Sequence, residues 1–203
     1  MLEGVNLSCA RGERRLFSGL SFSLAAGSFL QAFGPNGSGK TSLLRIVCGL
    51  MAPAAGEVRW DGTNIRRLGE EYRAQVAYVA HQNGVKDELD PVENLRISSG
   101  VAGNALSKRE AQAVLERVGL GKQKHLPARL LSAGQRRRLA LSRLLASRAR
   151  LWILDEPLAS LDDDGAMLAR NLISEHLSND GMAIIATHQE MSLSAGQIQR
   201  IEL

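Results

Sequence analysis

Residues 34–41 have the types and spacing needed to hold a chain of phosphates. They read Gly-Pro-Asn-Gly-Ser-Gly-Lys-Thr, which matches the pattern G-x-x-x-x-G-K-[ST] at every position. Glycines let successive backbone N–H groups face a phosphate, and Lys40 would place its positive charge against the β- and γ-phosphates. Thr41 would offer its hydroxyl to Mg²⁺, which prefers oxygen ligands that it shares with the phosphates. The residues expected to bind the nucleotide here are Gly34, Pro35, Asn36, Gly37, Ser38, Gly39, Lys40, Thr41 and Ser42.

Two adjacent acids, Asp155 and Glu156, follow the apolar run Leu-Trp-Ile-Leu at residues 151–154. Such a run predicts a buried strand, and ligands of open α/β sheets bind where such strands end. Asp155 is suited to hold Mg²⁺, directly or through water, and Glu156 is suited to deprotonate a water that attacks a γ-phosphate. Together with the glycine-rich segment, the acids predict a P-loop nucleotidase. Its expected catalytic residues are Lys40 and Glu156, and Thr41 and Asp155 are its expected metal contacts.

The segment Leu-Ser-Ala-Gly-Gln at residues 131–135 closely resembles the LSGGQ signature of ABC-transporter ATPases, with Ala133 where the family usually has glycine. The other marks of that family follow in order. Gln82 resembles its Q-loop glutamine, residues 160–162 resemble its D-loop, and His188 resembles its switch histidine. The resemblance spans essentially the whole chain. It implies ATP and Mg²⁺ as bound groups, Gln82 as a contact of both, and His188 as a further catalytic residue.

The resemblance also implies a second copy of the chain. In this family two ATPase domains face each other head to tail, and each ATP lies between one P-loop and the opposite signature. Because this chain carries one set of motifs, a homodimer would complete the site. A helix beginning near Ser132 would aim its N–H groups at the γ-phosphate across the interface, with Ser132, Gly134 and Gln135 as contacts. Ala133 adds one methyl group there, and we expect it to be accommodated.

One position departs from the family pattern on the adenine side. Family members usually stack adenine on an aromatic residue roughly where Arg11 falls in this chain. Arg11 could stack its guanidinium on the base, since arginine stacks on π-faces, or Phe17 could turn toward the base. The base could also be held loosely. Arg11 as a solvated loop charge is a further interpretation, and the residues alone leave all of these open.

The apolar patterns predict the elements that must position these groups. Two capping patterns, beginning at Asp90 and Ser107, open helices in a region at about 91–149. We therefore expect an α/β P-loop NTPase fold in one ABC ATPase domain of residues 1–203. It should have a mainly parallel core sheet, an N-terminal antiparallel β region and a helical signature subdomain inserted between core strands. The pattern predicts strands at 17–24, 28–33, 56–62, 76–80, 151–154, 182–187 and 198–203, and a helix at 40–48.

Composition limits the partners. The 203 residues carry a net charge of +4, and the basic residues are scattered apart from the Arg-Arg-Arg run at 136–138, so no nucleic-acid partner is expected. Two cysteines far apart in sequence favour reduced thiols over a structural metal. No apolar run is long enough to cross a bilayer, so the resemblance implies separate transmembrane permease subunits. Residues 85–95, with Lys86, Asp87 and Glu88, are the expected docking surface.

Several details further resemble one subfamily, the ATP-binding subunits of bacterial cytochrome c maturation, often called haem exporters. The details are the Ala-His-Gln-Asn-Gly-Val-Lys segment at 80–86, the arginines after the signature, Leu-Trp-Ile-Leu-Asp-Glu-Pro at 151–157 and Thr-His-Gln at 187–189. This resemblance implies peripheral association with the cytoplasmic face of the inner membrane. An ATPase for another cargo, such as a lipoprotein or small solute, and a regulatory subunit that binds ATP without turnover remain the alternatives.

Overall fold

This computed structural model describes residues 1–188 and 190–203, which form two β-sheets, seven α-helices and one short 3-10 helix, Ala128–Leu130. Gln189, the last residue of the Thr-His-Gln segment, lies outside the described residues. The strands are β1 (Leu2–Arg11), β2 (Arg14–Leu24), β3 (Ser28–Phe33), β4 (Ala55–Trp60), β5 (Thr63–Asn64), β6 (Val76–Val79), β7 (Leu151–Asp155), β8 (Met182–Thr187) and β9 (Gln197–Glu202). The helices are α1 (Lys40–Val47), α2 (Ile65–Leu68), α3 (Glu70–Arg73), α4 (Pro91–Val101), α5 (Lys108–Arg117), α6 (Ala133–Ala146) and α7 (Asp163–Ser178).

The smaller sheet is antiparallel and has the strand order β2-β1-β4-β5. The apolar pattern at residues 17–24 predicts only part of its long hairpin. Strand β2 begins earlier, at Arg14, because Arg14 pairs with Arg11 of β1 and this backbone pairing extends the strand beyond its apolar part. In β1, Leu2, Leu7 and Cys9 are buried. The expected antiparallel region at the N-terminus is confirmed, and it places the Arg11–Arg14 turn beside the glycine-rich segment.

The larger sheet is parallel, with the order β6-β7-β8-β3-β9. Every residue of β7 and β8 is buried, as expected for strands covered on both faces. Phe33 at the end of β3 pairs with Thr187 at the end of β8, and Asp155 at the end of β7 pairs with Ala186. The carboxyl ends of three neighbouring strands therefore meet at one edge. The predicted α/β class with a mainly parallel core sheet is confirmed.

Helices α4, α5 and α6 lie between β6 and β7 in the chain, in the region predicted to be helical. Capping boxes are present at Asp90 and Ser107, as predicted, and a third is present at Ser132 before α6. Irregular segments at 102–107 and 118–127 separate the helices. Leu95, Leu115 and other apolar side chains of these helices form a core cluster of their own. This cluster fixes the position of α6, whose first turn carries the signature segment.

His176 of α7 packs against the sheet in an unusual way for an ionisable residue. Its ring stacks on Trp152 of β7, with centroids 3.9 Å apart and planes inclined by 6°. Its Nε2 atom lies 3.2 Å from the backbone oxygen of Met182. Burial lowers the pKa of His176, despite hydrogen bonds to backbone oxygens that act in the opposite direction. Burial therefore favours the neutral form of this histidine in the folded chain.

The stacked histidine predicts an acid-sensitive contribution to stability. As the pH falls below about 6.5, the unfolded chain protonates His176 before the folded chain does, so the free energy of unfolding decreases. His176→Phe keeps a stacking ring but cannot protonate. Urea unfolding at about pH 7.5 and about pH 5 should therefore show a smaller loss for the variant than for the wild type. Equal losses in both proteins would show that His176 does not contribute to acid sensitivity.

Candidate functional site

The glycine-rich loop between β3 and α1 depends on glycine for both conformation and space. Gly34, Gly37 and Gly39 have φ values of 151°, 82° and 115°, in a region that side chains disfavour. A Cβ atom at Gly34 would lie 2.4 Å from the backbone oxygen of Leu203, and one at Gly39 would lie 3.1 Å from Cβ of Leu16. The loop can therefore curl tightly around a ligand only with glycine at these positions.

The polar groups of this loop are arranged for an anion. Lys40 is buried, and its Nζ donates hydrogen bonds to the backbone oxygens of Gly34, at 2.6 Å, and Pro35, at 3.1 Å. The hydroxyl oxygen of Ser38 is buried without a hydrogen-bond partner among the described residues. A buried ammonium paired only with carbonyl oxygens and an unsatisfied hydroxyl both gain from a phosphate ligand. The loop thus fits the polyphosphate that its sequence predicts.

Thr41 and Asp155 are 114 positions apart in the sequence but are in contact in the fold. The Thr41 hydroxyl donates a 2.8 Å hydrogen bond to Oδ2 of Asp155, whose side chain is buried at the end of β7. Hydroxyl and carboxylate oxygens beside a phosphate loop are the hard ligands that Mg²⁺ takes, so the donor set fits this metal. Gln82, the third expected metal contact, is exposed and does not line the cavity formed with Thr41 and Asp155, whereas its neighbour His81 does.

A cavity of about 490 Å³ opens over the phosphate loop. Arg11 lines it, together with Arg14 and Leu16 from the same hairpin. Phe17 instead belongs to the core, where its ring lies beneath Gly39, so the structure does not present it to the base. Arg14 and His81 are wall residues that the sequence analysis missed. The remaining lining residues are Asn36, Gly37, Gly39, Lys40, Thr41, Ser42, Asp155 and Glu156.

Glu156 and His188 come together from the ends of β7 and β8. The Nδ1 atom of His188 lies 3.1 Å from Oε2 of Glu156, and the Glu156 side chain is only 15% exposed. Glu156 has a φ of 49°, a left-handed conformation that costs free energy for a residue with a Cβ atom. Its N–H donates to the backbone oxygen of Ala186 at 2.8 Å. This pair can hold a carboxylate in one orientation and take up a proton at the cavity wall.

The signature residues lie elsewhere on the chain. Ser132 and Gln135 cap their own helix: Gln135 N donates to Ser132 Oγ at 3.2 Å, and Ser132 N donates to Gln135 Oε1 at 2.9 Å. Ser132 and Ala133 are exposed, and Gly134 is partly buried. None of these residues lines the 490 Å³ cavity of the same chain. Within one chain, the structure therefore does not bring the signature segment to the phosphate loop.

Comparison with known proteins assigns the chain to a family, since residues 17–159 match the family model described as ABC transporter. The chain belongs to the ABC transporter family. Among its relatives is the cytochrome c biogenesis ATP-binding export protein of Nitrosospira multiformis, which is 52% identical over 202 residues, covering 100% of this chain and 98% of that protein. The protein of the same name from Nitrosomonas europaea is 49% identical over 203 residues, covering 100% and 95%. The resemblance inferred from the sequence is confirmed.

Solved structures agree with this assignment. A protein from Pyrococcus furiosus, described as an ABC transporter ATP-binding protein, has a TM-score of 0.85 at 25% identity, covering 98% of this chain and 96% of that one. A dimeric ATP-binding cassette in a post-hydrolysis state with ADP and Pi has a TM-score of 0.82 at 23% identity, covering 93% and 88%. As a member of the ABC transporter family, this chain is an ATPase and binds nucleotide.

The two central positions of the ABC signature differ in the space around them. Ala133 is exposed at the first position of α6, so its methyl group meets no obstacle within the chain. A Cβ atom at Gly134 would instead lie 2.9 Å from the backbone oxygen of Ser160, which has a left-handed φ of 65°. Alanine is therefore tolerated at the first position, while the second must be glycine for α6 to lie this close to residues 160–162.

Gly134→Ala should lower ATP turnover by about tenfold, because Ser160 or α6 must shift to admit the methyl group. Nucleotide affinity of the phosphate loop should stay within about twofold. The measurements are steady-state ATPase kinetics and nucleotide titration of the full chain. Gly100→Ala, in α4 with no atom near the added methyl group, is the matched control. If Gly134→Ala behaves like this control, the close contact does not matter for turnover.

Proposed function

We propose that this chain is the ATP-hydrolysing subunit of a membrane ABC transporter that serves cytochrome c biogenesis, and that residues 1–203 act as one ATPase domain. The observation that carries the hydrolytic part is the convergence of Lys40, Thr41, Asp155, Glu156 and His188 at one edge of the parallel sheet. The cargo part rests on the relatives named for cytochrome c biogenesis and export, which match this chain over its full length. The specific task that we propose for ATP hydrolysis by this chain is the handling of haem.

Binding is assigned to the phosphate loop and its neighbours. The backbone of residues 34–39 and the Lys40 ammonium would hold the β- and γ-phosphates, with the free hydroxyl of Ser38 as a further donor. Thr41 and Asp155 would hold Mg²⁺, which neutralises charge on the transferred phosphoryl group. Gln82 would complete that set if the segment after β6 moved toward the cavity. Arg11 and Arg14 form the wall that would face the base.

Hydrolysis is assigned to Glu156. Its carboxylate would accept a proton from water while the water oxygen attacks the γ-phosphorus and the bond to the bridging oxygen of ADP breaks. The products are ADP and inorganic phosphate. His188 would hold the carboxylate in place through the 3.1 Å contact between its Nδ1 atom and Oε2 of Glu156. Lys40 would stabilise the charge that develops on the departing phosphates.

A second copy of the chain is proposed to supply the signature residues. Ser132, Gly134 and Gln135 lie outside the cavity of their own chain, at a helix N-terminus suited to a phosphate. Ser132 and Ala133 are exposed there, and Gly134 and Gln135 are partly buried. Two of the similar solved cassettes are dimeric structures, one of them bound to ADP and Pi. A head-to-tail homodimer would place this helix end against the γ-phosphate held by the partner. ATP-driven closure and reopening of that dimer would power transport.

Separate permease subunits are proposed as the membrane partners, at the cytoplasmic face of the bacterial inner membrane. None of the helices in the described part of the chain has the length and apolar character that a bilayer crossing needs. The expected docking surface, residues 85–95, is held firmly: Arg129 N donates to Asp87 O at 3.0 Å, and Arg136 pairs with the Asp87 carboxylate. Lys86 and Glu88 are exposed on this ordered loop.

Glu156→Gln should lower the rate of ATP hydrolysis by about 10² to 10⁴ and leave nucleotide binding intact, because only the proton acceptor is lost. Lys40→Ala should instead weaken nucleotide binding itself. The experiment is purification of the tagged chain from its native membrane, with identification of bound proteins and an ATPase assay of each variant.

Recovery of cytochrome c maturation subunits with Glu156-dependent turnover supports the full proposal. If a different permease is recovered, the proposed role in ATP hydrolysis stands, and the proposed role in cytochrome c biogenesis is rejected. Full hydrolysis by Glu156→Gln rejects Glu156 as the base. No turnover in the wild type, together with intact nucleotide binding, favours a regulatory subunit.

The docking surface can be tested by reversing charge without losing the ion pair. The double variant Asp87→Arg with Arg136→Asp retains opposite charges between the loop and α6, but it reverses the charge at the surface. If the loop docks through this charge, permease recovery and permease-stimulated turnover should fall by about tenfold. The swap Arg117→Glu with Glu175→Arg is the control, since this pair is exposed and joins α5 to α7. If both swaps give the same permease recovery and the same permease-stimulated turnover, the permease does not dock through the charge at Asp87.

A further inference from the structure

Arg137 lies in the run of arginines after the signature, but it is not a surface residue. Its side chain is only 2% exposed, and each of its five N–H groups has an acceptor. Nη2 donates to the backbone oxygens of Asp155 at 2.6 Å and Glu156 at 2.7 Å, and Nε donates to that of Pro157 at 3.2 Å. Nη1 donates to Ala80 O at 2.8 Å and to Asn83 Oδ1 at 3.1 Å.

Among the described residues, no carboxylate neutralises this guanidinium by direct contact. Its acceptors are four carbonyl oxygens and one side-chain amide oxygen. Burial lowers the pKa of Arg137, and the charges of Asp155 and Glu156 oppose that shift. An arginine remains protonated under such conditions, so the chain keeps a buried cation at a desolvation cost. A role in packing alone does not require that cost, because an apolar side chain of similar length would fill the same space.

The contacts with β7 act on the backbone of Glu156. Nη2 binds the carbonyl oxygens of Asp155 and Glu156, which lie on the two sides of the Glu156 Cα atom. These two bonds hold the peptide planes that set the left-handed φ of 49°. The direction of the Glu156 side chain toward His188 follows from that backbone conformation. Arg137 therefore binds the backbone on both sides of the Glu156 Cα atom, and none of its hydrogen bonds goes to the Glu156 carboxylate.

The contacts with residues 80–83 link the same guanidinium to a second segment. Ala80 and Asn83 bracket His81 and Gln82, the pair between β6 and the docking surface. Arg143, further along α6, donates to the backbone oxygen of Asn83 and holds the segment at another point. A displacement of residues 80–83, or of α6 itself, must therefore pull on the peptides around Glu156 through one rigid group.

We propose that Arg137 is a positioning residue that sets the orientation of the Glu156 carboxylate and couples it to residues 80–83 and to the signature helix. This inference rests on the proposed role of Glu156 as the proton acceptor. Lysine keeps the charge at position 137, but its three N–H donors share one nitrogen and cannot reproduce the five hydrogen bonds that the planar guanidinium makes to the two segments. Arg137→Lys should therefore lower kcat by about 30-fold and leave KM and nucleotide affinity within about threefold.

The test is a double-variant cycle on the full chain, with single-turnover ATP hydrolysis as the readout. If Arg137 acts through Glu156, Arg137→Lys should slow the wild type but have little further effect in the Glu156→Gln background. A structural role would lower turnover by the same factor in both backgrounds, and that result overturns the proposal. Arg148→Lys, an exposed arginine just beyond α6, is the control and should leave turnover unchanged.

Two further outcomes separate this inference from the proposed function. If Glu156→Gln loses turnover while Arg137→Lys keeps its kcat, the role of Arg137 is rejected and the base assignment stands. If Glu156→Gln keeps full turnover, the base assignment is rejected and the coupling through Arg137 is rejected with it. Should Arg137→Lys fail to fold, Asn83→Ala removes one acceptor while retaining the arginine. Asn83→Ala should lower kcat by a smaller factor than Arg137→Lys does. Like Arg137→Lys, it should have little further effect on turnover in the Glu156→Gln background.

Discussion

Parallel pairing of β3, β8 and β7 is the constraint on which the site depends. The register places Phe33 beside Thr187 and Asp155 beside Ala186, so three chain segments leave the sheet at nearly the same height. The phosphate loop, the acids after β7 and the histidine after β8 therefore lie next to one another at this edge. A shift of one residue in this register would turn the buried side chains of β7 to the opposite face and move Asp155 away from Thr41.

Charged groups within this edge are held by fixed oxygens and backbone dipoles more than by ion pairs. Lys40 is bound to loop carbonyls, Asp155 accepts a hydroxyl hydrogen bond, and Arg137 is surrounded by carbonyl oxygens. Groups held in this way are already oriented before a ligand arrives, and little reorganisation is then needed when charge develops. The groups on the side of the phosphate loop and the acids are therefore oriented by the fold itself.

Helix α6 connects this rigid edge to surfaces that can receive other molecules. Its N-terminal end carries the signature segment, in which Ser132 and Ala133 are exposed. Arg136 is paired with the loop at Asp87, and Arg137 binds the peptides at the end of β7. One helix thus contacts the proposed dimer surface, the proposed docking surface and the proposed base. Because a helix moves nearly as a rigid body, the proposal implies that a change at any of these places would be carried to the others.

Local patterns in the sequence determined the phosphate loop, the two acids after β7 and the capping boxes, since each depends on residues close together in the chain. Tertiary structure alone decided that Phe17 is buried, that Arg14 and His81 line the cavity and that Gln82 lies away from it. Arg137 shows the limit most clearly: in the sequence it is one of three adjacent basic residues, and only packing buries it. Its acceptors come from segments 18 to 57 positions away, and such pairings leave no local pattern to detect.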